Sequence, residues 1–102
     1  MQTQQITGGL AVTAMWEARD GEADAVADIL GRFAPQARQE PGVKLFRVHR
    51  ALENSSQFLF YELFEDEAAF AAHQQTAHFK ALILGEGVPR LNRRERTQYA
   101  ML

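Results

Sequence analysis

The sequence predicts an α+β domain: a ferredoxin-like βαββαβ order with an antiparallel sheet. Three observations predict it. Strand-like and helix-like hydrophobic periods alternate along the chain in that order. Of the four strand segments, two are apolar and two heavily charged, which sorts them to the centre and edges of one sheet. The 102 residues, 46% of them hydrophobic, can bury one core but are too few to divide into two domains.

Residues 1–8 are polar and read as a flexible N-terminal segment, leaving 9–102 as a single domain. The first strand is 10–17, LAVTAMWE, with few charges on either face, and Asp20-Gly21 closes it with a turn. A helix follows, with Val26, Ile29, Leu30, Phe33 and Ala37 along one stripe and Glu22, Asp24 and Asp28 loading its start with negative charge. Pro35 removes the hydrogen bond to the Gly31 carbonyl and predicts a kink; Pro41-Gly42 ends the helix. Strand 43–50 carries Lys44, Arg47, His49 and Arg50, as an edge strand does. The turn Asn54-Ser55-Ser56 joins it in a hairpin to strand 57–64.

Glu65-Asp66-Glu67 starts one short helix, 67–74, and Thr76 a second, 77–84. Gly85, Gly87 and Pro89 mark a loop before an arginine-dense last strand, 91–99, the other edge. With helices on one side of the sheet, alternation turns Leu59, Tyr61 and Leu63 to the other. Such an apolar patch predicts a homodimer, with those residues and the tail 99–102 covered by the partner.

Composition narrows the function classes. A net charge of −2 gives no reason to expect nucleic acid as a partner. The absence of cysteine excludes disulfides and thiolate metal sites. The apolar run 10–16 is too short to span a membrane, and no basic segment precedes it, so the expected location is cytoplasmic.

The chemistry gathers between Phe58 and Phe79. Glu62 lies between Phe60 and Phe64 on one strand face; if covered, its carboxylate is desolvated and its pKa raised, as a general base requires. The plainer account is an ion pair with an arginine of the last strand. His73 shares the inner helical face with Phe70, where a structural role is the plainer account. His78 lies just past Thr76, so both imidazoles flank one turn. By helix dipoles alone, protonation is favoured at His73 and disfavoured at His78. A metal triad of Glu62, His73 and His78 is disfavoured, because five residues separate the two His and no further ligand is near; no metal is expected. Arg90, Arg93, Arg94 and Arg96 suit either an anion site or a solvated edge.

The Tyr61-Glu62 pair, EDEAAF at 65–70 and H-x-x-T-x-H-F at 73–79 resemble the antibiotic-biosynthesis monooxygenase domain family. So do the Trp16-Glu17 strand end, Arg-Gln-Glu-Pro-Gly at 38–42 and the arginine-rich closing strand. The resemblance implies a dimeric α+β barrel with a pocket between sheet and helices in each subunit. His73, His78 and Glu62 match positions that commonly line that pocket and are the candidate catalytic residues, with Phe60, Phe64, Phe70, Phe79 and Trp16 as candidate substrate-binding residues. Phe64 stands where many members carry Trp, and Ala77 where Pro is usual. Ile83 stands where haem-degrading members place an iron ligand, so no haem or other cofactor is expected.

Two activities fit this pattern. One is a cofactor-independent monooxygenase acting on a quinol-like or polycyclic phenolic small molecule, with Glu62 or His78 as base and His73 holding the oxyanion. The other is isomerisation or breakdown of a small, phosphorylated signal metabolite, held by Arg47 or an arginine of the last strand. A non-catalytic dimer that binds a small molecule is the third reading.

Overall fold

A computed structural model describes residues 9–102, so the segment expected to be flexible, 1–8, lies outside the described residues. The elements are β1 (Leu10–Ala18), α1 (Ala23–Arg38), β2 (Val43–Arg50), β3 (Gln57–Phe64), α2 (Glu67–Gln75), α3 (Phe79–Gly87) and β4 (Leu91–Ala100). A short 3₁₀ turn, Val88–Arg90, leads into β4. The sheet runs β2-β3-β1-β4 and is antiparallel throughout. The apolar strands β1 and β3 are therefore central, and the charged β2 and β4 are the edges, as the sequence predicts.

Burial alternates strictly along β1: Leu10, Val12, Ala14, Trp16 and Ala18 are buried under the helices, and the residues between them are half-buried. Trp16 and Ala14 pair with Phe58 and Phe60 of β3 and join the buried stripe of α1 (Val26, Ile29, Leu30, Phe33, Ala34, Ala37) in one core. A smaller cluster of Leu10, Val12, Phe64 and Phe70 closes the end under α2. Pro35 forfeits its own hydrogen bond, yet α1 runs through it as one helix to Arg38.

On the far face, Leu59 and Tyr61 are exposed as alternation requires, but Leu63 is 4% exposed. It lies in the corner where Leu45 of β2 pairs with it, beside the register shift between Val43 and Leu45. Such an irregularity breaks the clean alternation of faces. The apolar patch is smaller than the sequence suggests.

The helical region after β3 departs most from expectation. Asp66 caps α2, its carboxylate accepting from the Ala69 N–H at 2.8 Å. Thr76 then serves both neighbours. Its hydroxyl donates to the His73 carbonyl at 2.9 Å and accepts from the Phe79 N–H at 3.1 Å. Beyond it α3 is wound as a π-helix rather than the α-helix expected at 77–84. That wide register is rare, frequent at functional sites and invisible to 3.6-residue periodicity. Among the described residues no helix is long and apolar enough to cross a membrane.

One close approach fixes the path from α1 into β2. A Cβ added at Gly42 would lie 2.4 Å from the Ala69 Cβ of α2, whereas one at Gly31 meets nothing within 4 Å. Gly42→Ala therefore forces the 40–42 connection away from α2 and is expected to lower stability by about 1–3 kcal/mol. Gly31→Ala, in an exposed helix interior, is expected to raise it by about 0.5–1 kcal/mol. Urea denaturation of the two variants checks both signs.

Candidate active site

α1 ends at Arg38, whose guanidinium donates to the Phe46 carbonyl at 3.0 Å and ties the helix end to β2. The next residues turn tightly. The Glu40 N–H donates to the Ala37 carbonyl, and the Glu40 carbonyl accepts from the Val43 N–H, each at 3.1 Å. With its backbone held on both sides, Glu40 sends its carboxylate inward, 11% exposed, between two imidazoles. Its oxygens lie 2.9 and 3.0 Å from His73 Nδ1, and Oε2 lies 2.6 Å from His78 Nε2.

Five residues along a regular helix would separate the two rings. The extended backbone at Thr76 (ψ 153°) breaks the helix and brings both to the same carboxylate. A carboxylate only accepts, so each of these nitrogens carries the proton. His73 is thereby assigned the Nδ1–H tautomer with Nε2 unprotonated, and His78 the Nε2–H tautomer.

His73 is 2% exposed and packed among Phe33, Phe46, Phe64 and Phe79, with ring centroids 5.2–5.7 Å away. Burial pushes its pKa down, and the Glu40 carboxylate, which pulls the other way, does not overcome this. The helix-dipole expectation of a favoured protonated state is thus corrected: desolvation outweighs the helix end.

Beside His73 lies a cavity of about 30 Å³, room for a water or two. Its walls are Trp16 and Ala14 of β1, Phe33 of α1, Phe46 of β2, Phe60 and Glu62 of β3, Phe70 and His73 of α2, and Phe79 and Ile83 of α3. Arg94 and Arg96 of β4 complete it. Of the residues singled out in the sequence, Glu62, His73, Trp16, Phe60, Phe70 and Phe79 line this cavity. His78 and Phe64 stand one layer back, His78 against Glu40 and Phe64 against Phe70 and His73. Arg47 pairs with Tyr61, on the opposite face of the sheet.

Glu62 is 6% exposed. Burial raises its pKa to about 8, with Arg96 and Arg94 pulling it down and Glu40 pushing it up. Among the described residues its carboxyl forms neither a hydrogen bond nor an ion pair. At neutral pH it is a carboxylic acid, a hydrogen-bond donor rather than a ready base.

Three contributors were not assigned their roles from sequence. Glu40 was visible only as one letter of the Arg-Gln-Glu-Pro-Gly motif, and its partners lie 33 and 38 residues away. Arg94 and Arg96, whose strand reads as a solvated edge, share its inner side. They pair in register with Trp16 and Ala14, which face the helices. Among the described residues no group of three His, Asp or Glu is placed to hold a metal ion, since Glu40 sits between the two rings instead of sharing a point with them.

With this geometry in hand, comparison with known proteins assigns the class. Residues 9–83 match the sequence profile of antibiotic biosynthesis monooxygenase. The chain belongs to that family. It is similar to the structure of PA3566 from Pseudomonas aeruginosa, with 27% identity over 97% of this chain and 99% of that one, at a TM-score of 0.85. A crystal structure described as an antibiotic biosynthesis monooxygenase matches at 24% identity over 91% of this chain and 96% of that one, with a TM-score of 0.81. SO0527 from Shewanella oneidensis has the same fold, at 18% identity over 94% and 93% of the two chains and a TM-score of 0.85. No curated protein matches.

The raised Glu62 pKa has a measurable consequence for stability. The folded state keeps its proton to about pH 8, and the unfolded chain releases it near 4.5. Between these values the folded state binds more protons, so this group's contribution to stability is full below pH 4.5 and is lost as pH rises through 8. The full loss is on the order of 5 kcal/mol. Urea midpoints at pH 5, 7 and 9 are expected to fall for the wild type and to stay flatter for Glu62→Gln.

Proposed function

We propose that the protein is a cofactor-independent monooxygenase of a small phenolic or quinol substrate, with His73 as its general base. One observation carries this reading: Glu40 locks His73 through Nδ1, leaving Nε2 unprotonated on a ring that lines a largely aromatic cavity. A carboxylate behind an imidazole fixes its tautomer and steadies the imidazolium that forms. Burial keeps the ring neutral and available at neutral pH.

Proton abstraction from a quinol hydroxyl gives a phenolate electron-rich enough to reduce dioxygen. Electron transfer and radical recombination place a peroxide on a ring carbon. O–O cleavage then leaves one oxygen on the substrate and the other in water, and all four electrons come from the quinol. The protein supplies the base, the orientation and exclusion of water. Neutral Glu62 donates a hydrogen bond to the oxygen that becomes anionic. His78 acts behind Glu40 as a positioning residue. The 30 Å³ interior has room for a water or two, so a substrate must part its walls, a smaller displacement for a single ring than for a polycycle.

Oxygen electrode traces with hydroquinones are expected to show uptake above the buffer rate. His73→Ala is expected to lower kcat by roughly 10²- to 10⁴-fold. Glu40→Gln is expected to lower kcat rather than raise KM, because it disturbs the tautomer and not the binding cavity. No uptake by the wild type across a panel of hydroquinones and anthrones would sink the proposal.

The homodimer is part of the same proposal. Leu59 and Tyr61 on the open sheet face and Tyr99 on β4 are 47%, 40% and 49% exposed, an apolar surface that a second copy would cover. Tyr99 and Ala100 pair with Ala11 and Leu10, so only Met101 and Leu102 extend beyond the sheet. Light scattering at micromolar concentration is expected to give twice the chain mass. Tyr61→Lys, which places a charge at the centre of that face, is expected to shift the mass toward the monomer.

A further inference from the structure

The geometry points to an acid-recognising subsite at the rim of the cavity: Arg94 and Arg96 hold an anionic substituent, a carboxylate, on the same substrate whose hydroxyl meets His73. It rests on the proposal that His73 is the base of that cavity.

The observations concern strand β4. Successive side chains of a strand alternate between its faces. Arg93 and Glu95, level with Glu17 and Met15, form an ion pair with each other on the outer face. Arg94 and Arg96 stand on the inner face, level with Trp16 and Ala14, and both border the cavity. Among the described residues neither makes an ion pair. Arg96 lies over the Phe70 ring, its guanidinium carbon 5.2 Å from the centroid, which orients it without neutralising it.

The nearest carboxyl group, Glu62, shares the cavity but forms no ion pair with either arginine. Partial burial and the charge of Arg96 lower the pKa of Arg94, and Glu62, which acts the other way, does not offset them. Two guanidiniums without an ion-pair partner among the described residues, at the mouth of a largely aromatic chamber, are suited to a planar oxyanion, which arginine grips through paired N–H donors. Every β4 residue after Leu91 is exposed, so this rim is open. The enclosed part of the cavity is small. An acidic group therefore stays between the arginines at the open rim, and the ring of the ligand parts the side chains behind them to reach His73. A monocyclic hydroxyarene with its carboxylate across the ring from the hydroxyl has this shape.

The test is calorimetric titration of the intact protein with 4-hydroxybenzoate and its neutral counterpart 4-hydroxybenzamide. Oxygen is excluded so that binding is read without turnover. The acid is expected to bind about tenfold tighter, the ratio that a charge-assisted hydrogen bond gives. That ratio is expected to fall to about one in Arg94→Gln/Arg96→Gln and to persist in Arg93→Gln, whose guanidinium faces away. The Arg94→Lys/Arg96→Lys protein, which keeps both charges, is expected to retain part of the preference. Equal affinities in the wild type, no detectable binding of the acid, or a preference surviving in the double glutamine variant would overturn the subsite. Loss of the preference in the glutamine double variant with a normal melting temperature would support it. Oxygen uptake with a neutral hydroquinone but no acid preference removes this inference alone. Acid preference without any oxygen uptake removes the oxygenase reading and leaves the subsite standing.

Discussion

A single buried carboxylate organises the half of the molecule that holds the candidate site. Glu40 leaves the end of α1, crosses to α2 and holds His73, and reaches past Thr76 to hold His78. An ionised carboxylate removed from water is costly unless its oxygens are matched by donors, and breaking one partner of such a group typically costs about 3–5 kcal/mol. Two imidazole N–H groups meet that need. The same contacts join the end of α1, α2 and the start of α3, so folding itself fixes the orientation of both rings. Gly42, pressed against Ala69, sets the distance over which the carboxylate must reach.

The strands were legible because their signals are local. Residues 43–50 and 57–64 emerge with the bounds read from the sequence, since a hydrophobic alternation and a turn at each end leave little freedom. The centre-and-edge order followed from charge. The helical segments after β3 were legible in number but not in kind. A π-register leaves no distinct period over nine residues, and Gly87 lies so close to the Trp16 ring that long-range packing shares in shaping it.

The site was half legible for a related reason. Glu62, His73 and the wall residues Phe60, Phe70 and Phe79 lie within one stretch and announce themselves by type and spacing. Glu40 and the two inner arginines come from distant segments, and a sequence shows which residues alternate without showing which face the helices cover. The fate of His73 was misjudged where two effects compete. A helix C-terminus adds a modest attraction for a proton, whereas near-complete burial among phenylalanines opposes the charge more strongly.

Across the sheet, Arg96, Ala14 and Phe60 stand in one row, cation, methyl and ring in sequence. Trp16 follows on the same strand, its ring 4.9 Å from Phe60, and fills the space on that side. The floor of the cavity therefore owes its depth to one small side chain that takes no part in the chemistry. A relative with Val or Leu at the position of Ala14 would have a shallower chamber with the same base and the same cations. Cavity depth and the Glu40–His73 pair are carried by different elements, so a lineage can change the size of molecule it accepts by a single substitution without disturbing that pair.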